Sequence, residues 1–159
     1  MFKRPAVIAH TRPVGVAPPD PCDTTAPAGN NWALGYHQHG ARCAEAVVER
    51  ARREVERCDH FGGFVMLQSL AGGTGAGFGS RIAHELCDYM PSAPRLSCAV
   101  WPYETGEVIV QAYNALLSIE MLYSVCDGVL LLQNEELHAT CAVRCVTPTP
   151  PCILVEHRV

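Results

Sequence analysis

The stretch Ala71-Gly72-Gly73-Thr74-Gly75-Ala76-Gly77-Phe78-Gly79 limits what this chain can fold into more than any other feature. It comes directly after a run that opens Phe64-Val65-Met66-Leu67 and closes at Leu70, with Gly62-Gly63 in front of it. A short apolar run bounded in this way reads as a strand buried on both faces. Behind the glycines, Phe78, Ile82 and Leu86 recur at helical spacing until Pro91 stops them. The unit is therefore strand, glycine loop, helix. Glycine lets a ligand approach the backbone closely. The free N–H groups and the dipole at a helix start favour phosphate, and Thr74 adds a hydroxyl donor. A plainer reading is that glycine only lets strand and helix pack tightly. Five glycines in the eight residues Gly72–Gly79 exceed what packing alone is expected to need.

Two familiar phosphate sites fit poorly. A P-loop places Lys and Ser or Thr after its last glycine. Here Phe78 comes after Gly77, and the only lysine of the chain is Lys3. A dinucleotide fold spaces its glycines as GxGxxG and ends its next strand on an acid for the ribose. Gly75-Ala76-Gly77 is followed by Phe78-Gly79-Ser80, and the next strand ends at Val100-Trp101. A NAD-type oxidoreductase fragment therefore stands only as an alternative, beside a remnant that binds nothing.

The flanking pattern supplies the sheet. Ala44, Val47, Val48, Ala51 and Val55 mark a helix that ends near Cys58, and its outer face pairs Glu49 with Arg53, Arg50 with Glu54 and Arg52 with Glu56. Leu96–Trp101 reads as a second strand, Val108–Val125 as a helix apolar nearly all round and hence buried, Val129–Leu132 as a third strand, and Glu135 to about Val143 as a closing helix. Strands joined by helices pair in parallel. Ligands of such sheets sit outside the carboxyl ends of the strands. Three segments leave there: the glycine loop, Trp101–Glu107, and Gln133-Asn134.

Composition sets the outer limits. The 159 residues are 48% hydrophobic and 18% charged with net charge −4, which offers no general attraction to nucleic acid or anionic membrane. No apolar run of about 20 residues is present, and the start Met1-Phe2-Lys3-Arg4-Pro5 does not read as a secretory signal. The nine cysteines are irregularly spaced. Cys141, Cys145, Cys152 and His138 form no CxxC pattern, so ordinary thiols are expected rather than zinc. Residues 1–27, with six prolines, read as an extended or disordered arm. Trp32 and Trp101 are expected to serve packing, and His37, His39, His84 and His138 to be ordinary surface or core residues.

The glycine loop resembles the tubulin signature, and three further motifs stand in the same order as that family's. Ala28-Gly29-Asn30-Asn31-Trp32-Ala33 resembles the family's other phosphate loop. Tyr113-Asn114-Ala115-Leu116-Leu117-Ser118 resembles the helix after its ribose loop. Asn134-Glu135-Glu136-Leu137 resembles the junction that holds guanine. The run from Trp101 to Gln111 resembles the delta branch. The resemblance covers residues 28–147 and leaves 1–27 and 148–159 as unmatched arm and tail. It implies an α/β fold, a partial doubly wound, Rossmann-like parallel sheet lacking its first strands.

The resemblance also implies roles. Gly29, Asn30 and Asn31 would line the phosphate end, and Gly72, Gly73, Thr74, Gly75, Ala76 and Gly77 would wrap the phosphates. Glu107 and Gln111 would meet the ribose, and Asn134 would read the guanine edge. GTP or GDP is the implied cofactor, with magnesium accompanying it. Other tubulins and microtubule or centriole components are the implied partners, at the cytoskeleton, centriole or basal body of a cilium. No catalytic or metal-ligating residue is assigned. The acid that completes hydrolysis comes from an adjoining subunit, so the chain alone is not expected to be an enzyme. Without the family's first strand the Phe64–Leu70 strand should expose an apolar edge, and the chain alone should bind GTP weakly or not at all.

Overall fold

A computed structural model describes residues 28–106 and 108–144. The arm before residue 28, Glu107, and everything after residue 144 lie outside it, so the expectations placed on them are not addressed. Three parallel strands, β1 (Phe64–Ser69), β2 (Arg95–Trp101) and β3 (Gly128–Gln133), form one sheet in the order β1-β2-β3. Four α-helices accompany them: α1 (Ala41–Glu56), α2 (Gly79–Tyr89), α3 (Gln111–Val125) and α4 (Asn134–Arg144). Two π-helical segments lead into the first pair, Leu34–Gly40 into α1 and Gly73–Phe78 into α2. The sheet is the partial α/β structure that the alternation of elements implied. Its parallel strands send the three expected loops out along one edge.

Burial sorts the sheet into two unlike faces. Phe64, Met66 and Ala99 look toward the helices. Leu70, Ala83, Ala99, Ala115 and Leu122 make the core between sheet, α2 and α3, and Val48, Ala51, Phe64, Leu86 and Ala93 make the core that joins α1 to α2. Strand side chains alternate in direction, so Val65, Leu67, Leu96 and Leu130 look the other way. All four are exposed, Leu67 at 71%. Among the described residues β1 is an edge strand, as expected of it. Its outward face is as apolar as its inward one, which is the mark of a strand meant to be covered on both sides.

Helix α3 corrects two expectations. It starts at Gln111, because Ile109 and Val110 form a turn ahead of it, and it is buried on one face only. Asn114, Ala115, Ser118, Leu122 and Val125 face inward. Tyr113, Leu116 and Tyr123 stand exposed at 70%, 67% and 84%. An apolar outer stripe carries no layer over it among the described residues. Periodicity marks the helix but not which of two apolar faces the core takes. On α1 the Glu49–Arg53 and Arg52–Glu56 pairs form as expected, and Glu54 meets Arg57 at 2.9 Å. Arg53 reaches Glu49 at 2.9 Å, and Arg52 binds both Glu49 and Glu56. Those contacts hold the Glu49 carboxyl down to about 2. On an exposed face they add little stability.

The base of the sheet is fastened by Arg95, 6% exposed at the first position of β2. Its Nε donates to the carbonyl of Val125 at 2.7 Å, and its Nη1 donates to the carbonyls of Ala93 at 2.6 Å and Met90 at 3.0 Å. The ends of α2 and α3 are thereby tied to one guanidinium. Asp127 accepts the Arg95 backbone N–H at 2.8 Å and sits 3.9 Å from its Nη2. Beside it, burial pushes the Cys126 thiol up to about 11, so it stays protonated at neutral pH. Replacing Arg95 by Met strands three carbonyls, and we expect a loss of about 3 kcal/mol in urea unfolding. Asp127→Ala removes one partly exposed acceptor and should cost about 1 kcal/mol. Equal losses from the two would refute this division.

Candidate functional site

The site is built where two glycine-bearing loops meet. The first loop, Ala28 to Trp32, turns through left-handed backbone at Gly29 (φ 56°) and Asn30 (φ 54°). Asparagine tolerates that region better than most residues. Asn31 caps the helical segment after the loop: its Oδ1 accepts the Leu34 N–H at 3.3 Å, and its carbonyl accepts the Gly35 N–H at 3.1 Å. The turn leaves Gly29, Asn30 and Asn31 all exposed, with Ala28 and Trp32 buried on either side.

The second loop is the glycine run after β1. Leu70 is fully buried and donates its N–H to the carbonyl of Val100 on β2 at 3.1 Å, which holds the loop's root to the sheet. The chain then winds at once into the π-segment and α2, giving one continuous helix from Gly73 to Tyr89. Its opening turn divides cleanly. Gly73, Ala76 and Gly77 are buried, and Thr74 is exposed. A Cβ on Gly73 would come within 2.8 Å of both the Ala28 Cβ and the Asn31 carbonyl oxygen, and one on Gly77 would strike the Trp32 carbonyl. These two glycines let the loops pack main chain against main chain. Packing therefore uses more of the glycine run than composition alone implied. Ala76, also fully buried, sits against the stacked rings of Trp32 and Tyr36, whose centroids are 4.6 Å apart. Trp32 is the packing residue it was expected to be. Trp101 is not: it stands 38% exposed at the end of β2.

Gly72 and Thr74 form the outward side, whereas a Cβ on Gly75 would come within 2.6 Å of the Ser69 carbonyl oxygen. A Cβ on Gly72 would lie 3.2 Å from the Asn30 Oδ1, so Asn30 and Gly72 flank one notch. Among the described residues, no group outside the helix accepts the N–H of Gly73, Thr74 or Gly75. No acidic side chain lies in that first turn. Unpaired N–H groups, a positive dipole end and no internal counter-charge together form a notch suited to an anion.

Asn114 holds the two loops together. It is 3% exposed on the inner face of α3. Its Oδ1 accepts the Trp32 N–H at 3.1 Å, and its Nδ2 donates to the carbonyls of Asn30 and Ala71, both at 2.8 Å. One side-chain amide thus spends both donors and one acceptor on the two loops. Ser118 caps the arrangement by donating its hydroxyl to the Asn114 carbonyl at 2.7 Å. Sequence reasoning placed Asn114 inside a motif but gave it no role. The available signal was a lone amide in an apolar helix, since such a group must find partners when buried.

The other expected residues lie along the same edge with different attachments. Gln111, one turn before Asn114, donates its Nε2 to the Tyr103 carbonyl at 2.7 Å, bracing the loop after β2. Glu104 in that loop gives its N–H to the Glu135 carboxylate at 2.7 Å, which joins it to the start of α4. Asn134 opens α4 at the end of β3. The structure thus sets Gly72 against Asn30, with Thr74 exposed beside them, and places Gln111 and Asn134 at the starts of α3 and α4. Glu107 lies outside the described residues.

A family model described as the Tubulin/FtsZ family, GTPase domain, matches residues 22–142. Among curated relatives, the tubulin delta chain of Homo sapiens is 45% identical over 115 residues, covering 72% of this chain and 25% of the relative. That of Macaca fascicularis is 44% identical over 115 residues, and that of Mus musculus 43% over 117 residues. The chain spans about a quarter of the length of these relatives. The dinucleotide-oxidoreductase alternative has no support among them.

If Asn114 joins the loops, its removal should be felt at both. Asn114→Ala and Asn114→Leu should each lower stability by about 2–4 kcal/mol in urea titration, since three backbone groups lose their partner. Backbone hydrogen exchange should accelerate at Trp32 in both variants. An unchanged Trp32 amide would show that the bridge does not hold the loops.

Proposed function

Because this chain belongs to the Tubulin/FtsZ family through its GTPase domain, we propose that it binds the phosphates of a guanine nucleotide in the notch between Asn30 and Thr74. The observation that carries this reading is that no described group outside the helix accepts the N–H of Gly73, Thr74 or Gly75 at the start of a long helix, with Asn30 against Gly72. These donors are main-chain groups, so they need no lysine, which suits a chain whose only lysine is Lys3. Thr74 offers its hydroxyl as a further donor. Gly29, Asn30 and Asn31 line the opposite wall. Gly72 leaves room that any side chain would fill.

Gln111, along the same edge, and Glu107, outside the described residues, are assigned to the ribose, and Asn134 to the base through its amide. Among the described residues no group of three His, Cys, Asp or Glu side chains could hold a metal. Magnesium, which keeps most of its waters and is carried by phosphate oxygens, would come with the nucleotide.

The whole protein is read as a cytoskeletal, delta-type tubulin that assembles with other tubulins, at centrioles or basal bodies. Its likeness to the named tubulin delta chains supports that assignment. Hydrolysis needs an acid from a neighbouring subunit, so this chain by itself is a nucleotide binder and not an enzyme.

Saturation-transfer NMR, which detects weak complexes, tests the reading on this chain. GTP and GDP should show transfer and compete with each other, whereas ATP and NAD should not displace them. Thr74→Ala should weaken the signal about fivefold, the loss of one neutral hydrogen bond. Gly72→Val, which fills the notch, should abolish it. Retention of NAD without GTP, or an unaltered GTP signal in Gly72→Val, would overturn the assignment.

A further inference from the structure

The outer surface of α1 and α2 carries a feature unrelated to the nucleotide notch. The two helices pack side by side and leave an open groove of about 930 Å³ between them. Its floor is apolar, with Ala44 and Val48 buried. Tyr89 stands at one end, 51% exposed. The banks are acidic: Glu45 and Glu49 on α1, Glu85 and Asp88 on α2, against a single lining cation, Arg42. Glu49 is already occupied by Arg52 and Arg53, and Glu85 by Arg81. No arginine pairs with Glu45 or Asp88 among the described residues, and Asp88 has only His84 at 3.7 Å. Two carboxylates on opposite banks, an aromatic ring and an apolar floor are what a basic, proline-rich segment requires. Prolines lie against aromatic and apolar surface, and the intervening arginines reach acids.

The chain carries such a segment. Residues 1–21 precede the family match. Residues 1–19 hold Lys3, Arg4 and Arg12 with no acidic residue, and Arg4-Pro5 and Arg12-Pro13 place a cation beside a proline twice. Reach is ample. The 26 residues from Lys3 to Ala28 can span roughly 75 Å when extended, and α1 begins 13 residues after Ala28. Exposed ion pairs are individually weak. Tethering compensates, because carrying segment and groove on one chain gives an effective concentration on the order of millimolar.

We propose that the basic N-terminal segment of this chain docks intramolecularly in the acidic groove between α1 and α2, with Arg4 or Arg12 meeting Glu45 and Asp88. The contact covers the outer face of the domain and leaves the nucleotide notch untouched, so it stands or falls apart from nucleotide binding.

A zero-length carbodiimide coupling on the full chain tests it. Only Lys3 and the Met1 amine can form the amide, so any link reports where the segment lies. Mass spectrometry of the monomeric product should find the segment joined to Glu45 or Asp88, with Glu49 and Glu85 as minor sites. Arg4→Glu with Arg12→Glu should lower that yield about fivefold while Lys3 remains available, and high salt should do the same. Links confined to carboxylates away from the groove, such as Glu104, Glu120 or Glu135, would overturn the proposal. Links found only between two chains would assign the groove to a second copy and overturn it as well. The absence of any link, or a yield indifferent to the arginines, would also refute it.

Discussion

The buried amide of Asn114 is the contact on which the candidate site depends. Two of its bonds end on the first loop, at Trp32 and Asn30, and one ends on the root of the glycine loop at Ala71. The partners are more than eighty residues apart from Asn114 on one side and about forty on the other, so no local structure could hold them in register. Backbone groups bound to a buried side chain are fixed in direction as well as place, because each missing bond would leave an unsatisfied polar group. The notch is thus preorganised by α3, an element that contributes no group to its wall. Asn30 keeps its left-handed conformation partly because its carbonyl is held there.

The sheet explains why such a bridge is needed. Three parallel strands with helices on one face give α2 and α3 a common core but leave Val65, Leu67, Leu96 and Leu130 bare. A sheet with one uncovered apolar face is half of a layered structure. Helix dipoles and strand ends still converge on one edge, since that depends only on parallel pairing. The fold can therefore present a recognisable phosphate notch while its other face awaits a covering layer. Arg95 and Asn114 sit at opposite ends of this arrangement. The first gathers helix ends under the sheet, and the second gathers loops above it.

Much of this was legible in the residue pattern, and the parts that were not share a cause. Each of the three strands and the helices between them could be read from apolar runs and spacing, because those signals are local. The glycine loop was legible because strand, glycines and helix adjoin in sequence. Helix α3 reads as buried all round yet is buried on one face only, since a helix apolar on both sides carries no mark of which side meets the core. Trp101 was misjudged for the same reason, as its burial depends on what stands across from it. Asn114 passed unassigned because its partners are distant in sequence. Asn31 also caps the helical segment after its loop, a role that one turn of backbone decides.

The glycine run shows how one sequence signal can serve two ends. Gly73 and Gly77 are glycine because another main chain lies where a Cβ would be. Gly72 faces the notch, and Thr74 stands free beside it. The residues of a phosphate loop thus divide by direction: those turned inward fix the distance between loops, and those turned outward leave space for an anion. The inward set is a precondition of the outward one. Main-chain N–H groups can be aimed at a ligand only if the turn bearing them is seated at a fixed depth, and Ala76 against Trp32 and Tyr36 sets that depth. A dense glycine motif is consequently not evidence for a ligand by count alone. The evidence lies in those positions where nothing within the protein has claimed the space or accepted the proton.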